Sequence, residues 1–237
     1  MKIRTINEFQ QELDNLITQY GVAGNRVQLL AVSKTRSVDE ICQLVAQGQR
    51  CFGENYLQEA IEKIERLKHR DLEWHFIGKI QSNKTKLIAT SFDWVHTVDR
   101  LKIAQRLSEQ RPENLPPLKI CLQVNSSGEI SKGGVDFEVL PELAKTVSQL
   151  PGLELRGLMT LPAPTVGFDQ QRQPFHQLCL SLEALAQQGL NLDTLSMGTT
   201  NDYRAAIAEG LSIRTTESGT PKTTIIRVGT ALFGPRE

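Results

Sequence analysis

No stretch of this 237-residue chain approaches the roughly 20 consecutive apolar residues that a membrane helix requires, so a spanning segment is not indicated. Charge of one sign is also missing. Lys+Arg and Asp+Glu are 27 each, a formal net charge of zero, which argues against a general polyanion binder relying on a basic surface, and no nucleic-acid partner is expected. The opening Met1-Lys2-Ile3-Arg4-Thr5-Ile6-Asn7-Glu8 reads as a polar helix start without the apolar core of a signal peptide. Cysteine is sparse: Cys42, Cys51, Cys121 and Cys179 form no CxxC pair, and three of the four lie in apolar runs. They read as buried free thiols rather than disulfides or zinc ligands, so the chain is expected in the cytoplasm with no metal site. Neither GxGxxG, GxxxxGK[ST], HExxH nor GxSxG occurs, which leaves dinucleotide, P-loop, zincin and hydrolase readings without support. No linker rich in Pro, Gly or Ser divides the chain, and 1–237 is expected to form one domain.

What is present is an alternation of helix-period and strand-period segments from end to end, the pattern of a parallel α/β fold. An amphipathic helix over 6–20 carries Phe9, Leu13, Leu16 and Ile17 on one side. The short apolar run 27–32 then predicts a buried strand, and Ser37 with Asp39 and Glu40 predicts a capped helix start. Further strands are predicted near 51 and at 73–77, 94–97, 118–124, 153–159, 194–197 and 224–228. Helices are predicted at 56–67, 83–88, 100–109, 140–150, 170–187 and 201–209. About eight strand–helix units result, the number that closes a TIM (β/α)8 barrel, with an open doubly wound sheet as the alternative. The polar stretch 211–223 is expected to be an exposed loop before the last strand.

Barrel active sites gather at the carboxyl ends of the strands, so residues just after each strand are the candidates. Ser33-Lys34-Thr35 follows the first strand. A lysine there loses part of its hydration, which favours a neutral amine able to attack an aldehyde. Taken alone, Lys34 reads as the first solvated residue past a core strand. Two later segments alter that reading. Leu195-Ser196-Met197-Gly198-Thr199-Thr200-Asn201-Asp202 and Arg227-Val228-Gly229-Thr230 both run from a strand into small and hydroxyl residues. Backbone N–H groups and hydroxyls at such places suit a phosphate, and barrels commonly bind phosphate after strands seven and eight. A strand-end lysine, a phosphate cup and an inward arginine together suggest a phosphorylated aldehyde, of which pyridoxal 5'-phosphate (PLP) is the commonest. His75 reads equally as a core histidine or a site residue, and Lys79, Lys84 and Lys86 as a solvated basic face.

The segments Leu30-Ala31-Val32-Ser33-Lys34-Thr35, Phe52-Gly53-Glu54-Asn55-Tyr56-Leu57-Gln58-Glu59, Trp74-His75-Phe76-Ile77-Gly78 and Gln81-Ser82-Asn83-Lys84 add a further signal. So do Arg156-Gly157-Leu158-Met159, Leu195-Ser196-Met197-Gly198, Asn201-Asp202, Ala205-Ala206-Ile207 and Arg227-Val228-Gly229-Thr230-Ala231-Leu232-Phe233-Gly234. In this order the sequence resembles the YggS/PROSC family of PLP homeostasis proteins over nearly its whole length. The resemblance implies a single fold-type-III PLP barrel, similar to the barrel domain of alanine racemase, with an extra N-terminal helix and no C-terminal β-domain. It implies a Schiff base on Lys34, Asn55 near the cofactor ring, Thr200, Gly229 and Thr230 at the phosphate, and Arg227 facing the pyridine nitrogen. The family usually has Met-Ser where this chain has Thr199-Thr200, and Thr200 keeps the hydroxyl.

Racemisation in the related barrel enzymes needs a base on each face of the cofactor, the second from a separate domain. An arginine at the pyridine nitrogen also weakens the ring as an electron sink. The expectation is therefore a non-catalytic PLP carrier, plausibly monomeric, that buffers or delivers the cofactor to PLP-dependent apoenzymes and so affects amino-acid and keto-acid balance indirectly. A weak racemase-like PLP enzyme is the alternative, and a phosphate-sugar barrel enzyme without PLP is a third reading.

Overall fold

The structure, a computed structural model, describes residues 5–21, 24–127, 133–212 and 221–235. Eight strands run β1 Arg26–Val32, β2 Cys51–Glu54, β3 Glu73–Phe76, β4 Trp94–Val98, β5 Leu118–Gln123, β6 Leu153–Met159, β7 Thr194–Thr199 and β8 Thr223–Val228. The helices are α1 Ile6–Tyr20, α2 Val38–Ala46, α3 Leu57–Leu67, α4 Thr85–Ser91, α5 Leu101–Gln110, α6 Leu140–Val147, α7 Phe168–Gln187, α8 Tyr203–Ser212 and the short α9 Thr230–Phe233.

All eight strands pair in parallel in sequence order, and β8 returns to β1, so the sheet is a closed barrel. That closure decides against the open doubly wound alternative. Each strand is covered on both faces, which is why the strands read as near-continuous apolar runs. Two apolar shells result. The larger, including Ala31, Phe52, Ile88, Ile103, Leu178 and Ile226, lies between barrel and helices. A small inner one holds Leu30, Trp94, Cys121, Met159 and Ile225. Gly157 lets two neighbouring strands meet, since a Cβ there would lie 1.7 Å from the Thr194 carbonyl oxygen.

Helix α1 precedes the first barrel strand. Thr5 and Glu8 close a capping box at its start, and Ser37 and Glu40 do the same for α2, as the sequence predicts for Ser37. Phe9 is fully buried and packs on Tyr203 of α8 with ring centroids 5.3 Å apart. The Tyr203 hydroxyl donates to Glu12 Oε1 at 2.7 Å. Within the segment expected to be an exposed loop, Leu211 and Ser212 continue α8, and Lys222 is buried with its ammonium donating to the Leu192 carbonyl at 2.7 Å. Residues 213–220 of that segment lie outside the described residues.

Removing the Phe9 ring should leave a cavity between α1 and α8. Phe9→Ala is expected to cost about 3–5 kcal/mol of unfolding free energy, read as a lower midpoint in urea.

Candidate cofactor-binding site

The carboxyl ends of β1, β2, β7 and β8 converge on one pocket of about 190 Å³. At the end of β1 the chain turns sharply through Ser33, Lys34 and Thr35. Thr35 has φ 62°, the single non-glycine residue in the left-handed region among the described residues. Such a conformation costs energy and persists only where the surroundings impose it. Here they do. The Thr35 N–H donates to Glu59 Oε1 at 2.6 Å, and the Ser33 hydroxyl donates to Glu54 Oε1 at 2.6 Å. Lys63 joins the two acids, its ammonium donating to Ser33 O at 2.7 Å, Glu54 Oε1 at 2.8 Å and Glu59 Oε1 at 2.5 Å. The residues on either side of Lys34 are thus clamped by one ionic cluster, buried at Glu54 and Lys63 and partly exposed at Glu59. Burial pushes the Glu54 carboxyl up, while the bonds from Lys63 and Ser33 pull it back.

Asn55 follows β2. Its Oδ1 is buried and has no hydrogen-bond partner among the described residues. Gly78, at the end of the neighbouring β3, packs against its backbone, where a Cβ would lie 2.0 Å from Asn55 O. Near the end of β7, Gly198 takes φ 88°, a conformation that suits glycine, and delivers Thr199 and Thr200 to the pocket wall. Asp202 fixes that loop by accepting from the Thr199 N–H at 2.5 Å and its hydroxyl at 2.8 Å. After β8, Gly229 and Thr230 reach the same wall.

Arg227 closes the pocket floor from inside the barrel and is only 5% exposed. It donates from Nη1 to Ser196 Oγ at 2.7 Å and from Nη2 to Thr160 O at 2.8 Å. Burial brings its pKa down to about 10, so it remains a cation at neutral pH. A guanidinium has five N–H donors, so these two bonds leave others for a ligand.

All six residues singled out from the sequence, Lys34, Asn55, Thr200, Arg227, Gly229 and Thr230, line this one pocket. Val32, Ile77, Met159, Leu161 and Thr199 complete it. Lys79, Lys84 and Lys86 are exposed, as the reading of a solvated face expects, and Lys79 and Lys84 border an adjoining cavity of about 430 Å³ that shares Asn55 but not Lys34. His75 sits wholly inside the barrel, parallel to Trp94 at 5.5 Å. Sequence reasoning missed the Lys63 cluster. Its one local signal is the four-residue spacing of Glu59 and Lys63 on α3.

A strand-end amine, a buried guanidinium and hydroxyl-bearing loops at the mouth of a closed parallel barrel define a barrel of the alanine racemase type. The family model described as the alanine racemase N-terminal domain matches residues 11–237. The pyridoxal phosphate homeostasis protein of Pseudomonas aeruginosa is 55% identical over 211 residues, 89% of this chain and 85% of that protein. Its Vibrio cholerae counterpart is 47% identical over 238 residues, 99% of this chain and 96% of that protein. Among solved structures, PipY of Synechococcus elongatus with PLP bound is 37% identical with a TM-score of 0.78, over 94% of this chain and 99% of that one. The chain belongs to the pyridoxal phosphate homeostasis protein family.

The clamp on Lys34 can be tested by stability. Lys63→Met would leave the fully buried Glu54 without its cation. A loss of about 3–5 kcal/mol is expected in urea unfolding, and much of it should return in the double variant Glu54→Gln/Lys63→Met, which buries no unpaired charge.

Proposed function

We propose that this chain holds PLP in the Lys34 pocket and serves in PLP homeostasis by buffering the cofactor and delivering it to PLP-dependent apoenzymes. The observation that carries the reading is the convergence, in one small pocket, of a strand-end lysine, a buried arginine and two hydroxyl-and-glycine loops. PLP supplies an aldehyde that joins an amine and a phosphate that needs neutral and cationic donors. The donor set fits both. Lys34 is the amine for a Schiff base, and the hydroxyls of Thr200 and Thr230 with the Gly229 backbone form the phosphate cup. Arg227, a donor only, meets the ring nitrogen as an acceptor. The partnerless Oδ1 marks Asn55 as the polar group beside the ring.

Binding is read here as the function in itself. Lys34 and Arg227 are the titratable groups among the described pocket residues, the others being hydroxyl, amide, glycine and apolar. A wall of this kind orients and retains a cofactor, and the second base that racemisation needs is not among those groups. We place the protein in the cytoplasm. Its four cysteines are free, and no described helix is long and apolar enough to cross a membrane.

On incubation with PLP the protein should turn yellow, and borohydride reduction followed by peptide mapping should place the label on Lys34. Lys34→Ala should lose the colour, and a label on Lys84 instead would overturn the assignment. Thr200→Val/Thr230→Val should weaken PLP by about tenfold and leave pyridoxal, which lacks the phosphate, nearly unchanged. Amino-acid turnover well above that of free PLP, lost in Lys34→Ala, would defeat the carrier reading. A protein that never acquires the absorbance would favour a barrel enzyme of phosphorylated sugars.

A further inference from the structure

Arg227 carries a buried positive charge, and its described partners are a hydroxyl and a carbonyl rather than a carboxylate. From its Ser196 contact a row of polar side chains continues down the inside of the barrel. Ser196 Oγ lies 2.6 Å from His96 Nδ1. His96 Nε2 lies 2.8 Å from His75 Nδ1, and His75 Nε2 lies 2.9 Å from Glu73 Oε1. Glu73, the first residue of β3, then pairs through Oε2 with Lys119 at 3.3 Å. The row runs from the cofactor pocket to the amino-terminal end of the barrel.

Its proton positions follow from the two ends. Burial alone would raise Glu73, but the hydrogen bond from His75 and the Lys119 ammonium outweigh that and lower it, so it is an ionised acceptor. His75 Nε2 must therefore carry the hydrogen. Burial lowers both imidazoles, His96 well below the usual histidine value, so each is neutral and has one N–H. His75 Nδ1 is then an acceptor, His96 Nε2 a donor, and His96 Nδ1 an acceptor for the Ser196 hydroxyl. Arg227, which can only donate, supplies the bond that Ser196 accepts. Every bond in the row points the same way, from the arginine to the carboxylate.

We infer that Glu73 is a positioning residue for the cofactor pocket, acting through the one-way hydrogen-bond chain His75–His96–Ser196 to hold the Arg227 guanidinium in place. Dipoles aligned in this sense present their acceptor ends to Arg227 and their donor ends to Glu73, so both buried charges gain. The chain gives Arg227 an oriented acceptor from inside the barrel, while the Asp202 carboxylate on the neighbouring loop also favours its charge. Cys51, Glu73 and His75 also bring one donor atom each within 4.8 Å of one another, an arrangement open to a metal ion. The Lys119 ammonium on Glu73, itself 5.3 Å from the Trp94 ring centre, opposes a second cation there. The effect on ligand binding rests on the PLP reading above, whereas the chain itself does not.

The test separates the two. In ¹⁵N-histidine-labelled apo-protein at neutral pH, long-range ¹H–¹⁵N correlation should show His75 and His96 neutral with the proton on Nε2. A proton on Nδ1 of either ring, or a charged ring, would overturn the chain. Glu73→Leu removes the terminal acceptor and should shift the His75 and His96 resonances and weaken PLP by about three- to tenfold. Glu73→Gln keeps an acceptor oxygen and should retain the Nε2–H forms with a smaller loss. Glu154→Gln, in the strand β6 and outside the chain, should leave PLP affinity within about twofold of wild type. A folded Glu73→Leu protein with unchanged PLP affinity would overturn the positioning role. If Glu73→Leu does not fold, the wild-type resonances and Glu73→Gln affinity decide the matter. Failure of the wild type to bind PLP would defeat the functional reading and leave the chain to the tautomer measurement alone.

Discussion

The parallel ladder between β1 and β8, registered from Arg26↔Thr223 to Ala31↔Val228, is the contact on which the site depends. It joins the first and last strands of the barrel, so that Lys34 near the start and Arg227, Gly229 and Thr230 near the end face one pocket. A parallel pair separated by nearly the whole chain is slow to form and gains little until everything between is folded. Its reward is rigidity. Groups on different strand ends are held by a closed hydrogen-bonded ring rather than by flexible loops, which is what a small ligand with two ends needs.

Closing that ring leaves an interior with little access to water, and the chain puts charges into it. Isolated, a buried Arg227 or Glu54 would cost several kcal/mol, in the range of effective penalties for buried ions. Each is therefore given partners. Glu54 meets Lys63 directly, and the same cluster holds the strained turn that presents Lys34. Arg227 meets oriented neutral groups whose far end is Glu73. Both arrangements convert an electrostatic cost into fixed geometry at the pocket. Burial that would merely weaken a solvated group makes these groups immovable.

Much of this was legible beforehand because it is local. The capping pair Ser37 and Glu40, the apolar period of α1 and the strand runs are set by neighbours a few residues away. Strand ends shifted by a residue or two, and α8 ran past 209 into the segment expected to be a loop, because Leu211 has a core to bury in. The six pocket residues were nameable because each sits at or just past the end of a strand and within a motif shared with a known family. Lys63 and His96 were not. Ser196 and His96 lie 100 positions apart, and no spacing rule connects them.

By itself the sequence determined the alternation of elements, their number, the strand-end lysine and the small hydroxyl-rich loops. These follow from side-chain periodicity and turn chemistry, which act over a few residues. Only the tertiary structure decided that β8 closes on β1, that Lys63 grips both sides of Lys34, and that two histidines link Arg227 to Glu73. Those facts depend on which inward side chains of different strands share a layer, and that is settled by the stagger of the closed barrel.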